Sequence, residues 1–140
     1  MTMMILLPVD GSAMSDRAAQ HVVRLRREGL SLDVVLLNVQ AELSKRGSRG
    51  PSRGEATYYQ KEGEAASQSA ATILAQGGVL FRRFVRVGPI AETIMELANQ
   101  ESCDMIVMGT RGLGAVPGMM IGSIALKVVQ SGEIPVTLVG

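Results

Sequence analysis

The hydrophobic period switches back and forth along this chain, and that switching restricts the folds open to it more than any other feature. Met3-Met4-Ile5-Leu6-Leu7 is a continuous apolar run halted by Pro8 and Asp10-Gly11. A run without alternation suits a strand buried on both faces, as in a parallel sheet. From Ser12 the period turns helical. Ala18, Val22 and Leu25 fall at i, i+4 and i+7, with Asp16, Arg17, Gln20, Arg24 and Arg27 turned outward and Gly29 placed to end the helix. Residues 32–39 form a second β-branched, apolar run. Residues 40–53 break the pattern; the part from Lys45 to Arg53 is polar, basic and rich in Gly and Ser, and reads as a mobile loop. The next helix carries Ala56, Tyr59, Ala66, Ala70 and Ile73 inward and ends at Gly77-Gly78. Residues 79–87 read as a third strand, which Arg82, Arg83 and Arg86 assign to a sheet edge. Gly88-Pro89 opens a helix with Ile90, Ile94, Leu97 and Ala98 as its buried stripe. Residues 104–108 form a fourth strand, followed by a long glycine loop. A helix with Ile121, Ala125, Val128 and Val129 on one face comes next, then a last strand over residues 134–139.

Strands alternating with helices predict right-handed crossovers and one open, parallel, five-stranded α/β sheet with helices on both faces. A length of 140 residues fits a single domain over residues 1–140, since two would each have a thin core. The only aromatic residues are Tyr58, Tyr59, Phe81 and Phe84, so the core must be aliphatic and a base-stacking platform for single-stranded nucleic acid lacks material. A net charge of +1 supplies no global field to attract DNA or an anionic membrane. With one cysteine, Cys103, no internal disulfide can form, and a reducing compartment is expected. Residues 1–8 lack the basic flank and cleavage pattern of a signal peptide, and no apolar run approaches the ~20 residues of a membrane span. These features together predict a cytoplasmic protein.

In an open parallel sheet, ligands bind beyond the carboxyl ends of the strands, where the winding reverses. Two such ends carry unusual sequences: Pro8-Val9-Asp10-Gly11-Ser12 and the stretch beginning at Gly109. The latter holds five glycines within fourteen residues, Gly109 to Gly122, which lets main-chain amides turn toward a ligand without Cβ obstruction. Successive inward amides make an anion nest, and the following helix adds its positive end at Gly122-Ser123. Ser123 can donate its hydroxyl to a phosphate or simply cap the helix. Arg111 supplies the loop's one full cation. A Gly-Lys-Ser/Thr phosphate loop is absent, and a dinucleotide G-x-G-x-x-G starting at Gly112 meets Pro117 in place of its third glycine. No carboxylate cluster builds a metal site from protein alone, and His21 lies among charged residues on the outer face of the first helix. Met119 and Met120 read as packing residues.

The spacing G-x2-G-x9-G-S is complete in Gly109, Gly112, Gly122 and Ser123. On that spacing the chain resembles the ATP-binding universal stress proteins. The likeness extends to Ile5-Leu6-Leu7-Pro8-Val9-Asp10-Gly11-Ser12, to Val87-Gly88-Pro89-Ile90, to Asp104-Met105-Ile106-Val107-Met108-Gly109-Thr110-Arg111-Gly112 and to the closing Ile134-Pro135-Val136-Thr137-Leu138-Val139. Asn38-Val39-Gln40 stands where many relatives end their second strand in His-Val. The resemblance implies a Rossmann-like, adenine nucleotide alpha hydrolase-like fold of strand order 3-2-1-4-5, with ATP, or ADP or AMP, between strands 1 and 4. It implies that Pro8, Val9 and Asp10 lie near base and ribose, and that Val39 lines the adenine pocket. Met108, Gly109, Arg111 and Gly112 would follow the ribose and α-phosphate. Gly122, Ser123 and Ile124 would hold the outer phosphates with a bridging Mg²⁺. It further implies a homodimer through residues 136–139. A regulatory nucleotide-binding module is the expectation, since no base stands ready to activate water. A slow ATPase or phosphotransferase and a nucleotide-free dimerisation module are the alternatives.

Overall fold

The computed structural model describes residues 1–42, 52–113 and 116–140. Nine elements alternate: β1 (Met3–Pro8), α1 (Ala13–Arg27), β2 (Leu32–Gln40), α2 (Arg53–Gln76), β3 (Phe81–Val87), α3 (Ile90–Gln100), β4 (Met105–Gly109), α4 (Ser123–Ser131) and β5 (Val136–Val139). The strands form one parallel sheet of order β3-β2-β1-β4-β5, the order that the resemblance implies.

Side-chain alternation along the strands divides the core in two. Ile5 and Leu7 of β1 and Val9 just after it, with Val34 and Leu36 of β2 and Val107 of β4, pack under α1 and α2. Leu6, Val35, Leu37, Ile106 and Met108 face the other way, under α3 and α4. Both faces of the central strands are therefore dry, which explains their unbroken apolar runs.

Several expected details shift. Ser52 caps α2, its hydroxyl accepting from the Glu55 N–H at 3.2 Å, and Arg53 begins the helix. Gln40 belongs to β2 and pairs with Val87 of β3. The loop expected over 40–53 is thus shortened at both ends, and residues 43–51 lie outside the described residues. The buried stripe of α2 is Tyr59, Gly63, Ser67, Ala70, Ala71 and Leu74, whereas Ala56 is exposed and Ala66 and Ile73 are only half-buried. Gly63 faces the sheet because a Cβ there would strike the Val85 side chain, so the glycine sets the spacing between α2 and β3. In α4 only Ala125 and Val128 are buried, and Val129 is 42% exposed. That helix has nine residues and packs against α3 and the edge strand β5, so its inward stripe is narrow. Cys103 is buried and free, as a small apolar residue would be. No helix among the described residues is long and apolar enough to cross a membrane.

Candidate functional site

The sheet itself opens the site. Paired with β2, β1 keeps register as far as Pro8↔Leu37, but paired with β4 it keeps register only to Leu6↔Ile106. Beyond that point β4 follows β5, up to Gly109↔Val139. The carboxyl ends of β1 and β4 therefore part, at the place where the chain reverses its winding direction.

A cleft of about 280 Å³ fills the gap, close to the lower end of the ~300–1,000 Å³ usual for ligand pockets. It brings together all eleven residues singled out from the sequence: Pro8, Val9, Asp10, Val39, Met108, Gly109, Arg111, Gly112, Gly122, Ser123 and Ile124. One wall is apolar, made by Leu37, Val39, Ile90 and Ile94. Described residues of the glycine loop and of the start of α4 also line it. The loop is closed at its base, where the Gly122 N–H donates to the Thr110 carbonyl at 2.6 Å and the Thr110 N–H donates to Val139 at 2.9 Å.

Gly122, not Ser123, is the N-cap of α4, and no side chain caps that helix. Ser123 is its first helical residue, so the capping alternative fails for a geometric reason: its hydroxyl sits inside the helix start. The first-turn N–H groups of Ser123, Ile124 and Ala125 have no intrahelical partner, as at any helix start. All three residues line the cleft. An uncapped helix start facing a cleft is an anion receptor by construction.

Asp10 is the most constrained side chain here. Its Oδ1 accepts from the Ser12 N–H and from the Ser15 hydroxyl, both at 2.9 Å, and its Oδ2 accepts from the Leu113 N–H at 2.8 Å. Burial pushes the carboxyl up, but hydrogen bonds from Ser12, Leu113 and Ser15 outweigh it and hold Asp10 below its ordinary 3.8. Gly112 is a glycine for the same reason, because a Cβ there would collide with Asp10 Oδ2. Gly109 answers a different neighbour, since its Cβ would lie 2.8 Å from Met14 Cβ.

Met119 and Met120 do not pack: they are 44% and 89% exposed, because α4 starts only at Ser123 and leaves them in the loop. Met119 borders the cleft without filling it. Sequence reasoning missed Ser15, Asn38, Ile90 and Ile94. Ser15 was legible in Ser12-x-x-Ser15, a helix-start spacing in which the Ser12 hydroxyl accepts from the Ser15 N–H at 3.2 Å. Asn38 is buried, donates to the Val9 carbonyl at 2.8 Å and accepts from Gln40 at 2.6 Å, so it fixes the strand end behind the cleft. No group of three or more His, Cys, Asp or Glu side chains among the described residues is arranged to hold a metal.

Comparison with known proteins agrees with this architecture. A universal stress protein of Methanocaldococcus jannaschii is 28% identical over 137 residues, covering 96% of this chain and 80% of its own. Among solved structures, a hypothetical protein used to assign biochemical function from structure superposes with a TM-score of 0.79 at 26% identity, covering 98% of this chain and 94% of that one. A universal stress protein of Archaeoglobus fulgidus in complex with dAMP shares the fold, with a TM-score of 0.68 at 19% identity over 99% and 98% of the two chains. The family model described as universal stress protein matches residues 1–140. With strand order, glycine spacing and sequence match in agreement over its whole length, this chain belongs to the universal stress protein family.

Proposed function

We propose that this chain is a regulatory, adenine-nucleotide-binding universal stress protein of the cytoplasm that takes ATP with Mg²⁺, and ADP or AMP in the same cleft, and that acts as a homodimer through β5. The observation that carries the reading is the joining of an apolar wall to an uncapped helix start in one cleft. A flat, apolar base suits Leu37, Val39, Ile90 and Ile94, while a phosphate chain suits the Ser123, Ile124 and Ala125 amides and the Arg111 guanidinium. The Archaeoglobus fulgidus relative was solved with a nucleotide of the same base class.

Magnesium would be held chiefly by the phosphates, because Asp10 is the one carboxylate lining the cleft among the described residues and its oxygens already accept three hydrogen bonds. When bound, the ion would neutralise phosphate charge. The same observation disfavours an enzyme. Among the described residues, Asp10 and Arg111 are the ionisable side chains lining the cleft. A committed, acidic carboxylate is a poor base for activating water. Ser123 and the main-chain amides bind and orient; they do not take a proton.

Calorimetry with ATP and Mg²⁺ tests the reading. A micromolar dissociation constant is expected, equivalent to about −8 kcal/mol. No binding at millimolar ATP would end it, and phosphate release near ~1 s⁻¹ would favour the enzyme alternative.

A further inference from the structure

We propose that Asp10 serves bound nucleotide through the loop: its carboxylate, set by Ser12 and Ser15, is a latch that grips the Leu113 N–H and so holds Arg111 and Gly112 in the phosphate-receiving arrangement. This deepens the nucleotide reading and rests on it for its ligand.

The geometry supplies the argument. Leu113 lies 103 residues from Asp10 in sequence, so the bond from its N–H ties the glycine loop directly to the turn after β1. A carboxylate offers about four acceptor sites, and three here are filled by protein donors. On the far side the carboxylate's own orientation is fixed twice over. Ser15 accepts from the Asp10 N–H at 3.0 Å while donating to Oδ1, and the Ser12 N–H supplies the second donor. Gly112 completes the latch sterically, because any side chain there would displace Oδ2. Thr110 and Gly122 clamp the base of the loop, and Asp10 clamps its first limb. Two clamps leave the amides little freedom to lose on binding, and that pre-organisation raises affinity. Charge alone argues the opposite sign, since a carboxylate beside a phosphate chain repels it. Asp10 at this place is explained by what it holds.

A double-mutant cycle decides the matter, using Asp10→Ala, Gly112→Ala and the pair. Two quantities are read on each protein: ATP–Mg²⁺ affinity by calorimetry, and exchange of the Leu113 amide in nucleotide-free protein. Each single change is expected to speed Leu113 exchange and weaken ATP about tenfold, the scale of one hydrogen bond to a charged group. The pair is expected to be no worse than Asp10→Ala alone, because both changes break the same latch. Additive losses, or unchanged ATP affinity in Asp10→Ala, would overturn the proposal. Ser15→Ala removes one of two donors to Oδ1 and guards against misfolding of the stronger variants. It should speed Leu113 exchange less but in the same direction, and no change would count against the latch. If the wild-type protein binds no ATP, the nucleotide reading fails, while the exchange cycle still judges the latch.

Discussion

Asp10 concentrates the physics of this protein in one side chain. Burial alone would raise its carboxyl, yet donors from Ser12, Leu113 and Ser15 bring it below 3.8, so the folded state prefers the ionised form more than the unfolded chain does. A depressed carboxyl contributes stability that is present above the unfolded value and is lost as pH falls through the folded one. Asp10→Asn should therefore unfold at lower urea than wild type at pH 7. The gap between the two midpoints should close as pH is taken well below 3.8, where both side chains are neutral. A gap that stayed constant down to the acid limit would mean that the hydrogen bonds do not depend on the charge. Because Asp10 is only half-buried, salt should also narrow the gap.

Between residue and fold, the elements show which features a sequence can reveal. Strand identities came from runs that both faces bury, and those runs lie in the chain itself. The stripe expected for α2, Ala56, Tyr59, Ala66, Ala70 and Ile73, is right in part: Tyr59 and Ala70 are buried and Ala66 and Ile73 half-buried, but Ala56 is exposed, and Gly63, Ser67, Ala71 and Leu74 complete the buried face. Gly63 and Ser67 look like surface residues until β3 is placed beside them: Gly63 admits the Val85 side chain, and the buried Ser67 hydroxyl donates to the Gly63 carbonyl at 2.8 Å. Gly63→Ala is expected to destabilise the fold by about 1–3 kcal/mol through overpacking, despite alanine's better helix propensity. A urea midpoint at or above wild type would show that α2 can lift away from β3 at no cost. The candidate site was legible in the same uneven way. The residues of the glycine spacing converge on the cleft as strand ends must. The partner that each glycine accommodates, Asp10 for Gly112 and Met14 for Gly109, is set by tertiary approach and has no local signal.

At the scale of the whole molecule, the sheet's two edges are built differently. The β3 edge is guarded by charge: Arg82 pairs with Glu101 at 2.6 Å, and Arg82 and Arg86 lie over the Phe84 ring at 5.5 and 5.0 Å. Such side chains deter another strand from adding there. The β5 edge, Val136-Thr137-Leu138-Val139, carries no charge and is only half-buried. Its peptide groups alternate in direction. The carbonyls of Pro135 and Val139 accept from Ile106 of β4 and from Thr110 just after it, so those of Val136 and Leu138 face the open side. A second copy pairing along this edge would use the Leu138 N–H and leave the β4 ladder intact. Leu138→Pro removes that donor alone from the edge and should convert the proposed dimer to a folded monomer, read by sedimentation equilibrium with circular dichroism as the check on folding. Leu138→Ala removes the same apolar side chain but keeps the N–H, and should remain dimeric. If both variants dissociate, the contact is made by side chains; if neither does, β5 is not the interface, and the uncharged edge must be covered in some other way.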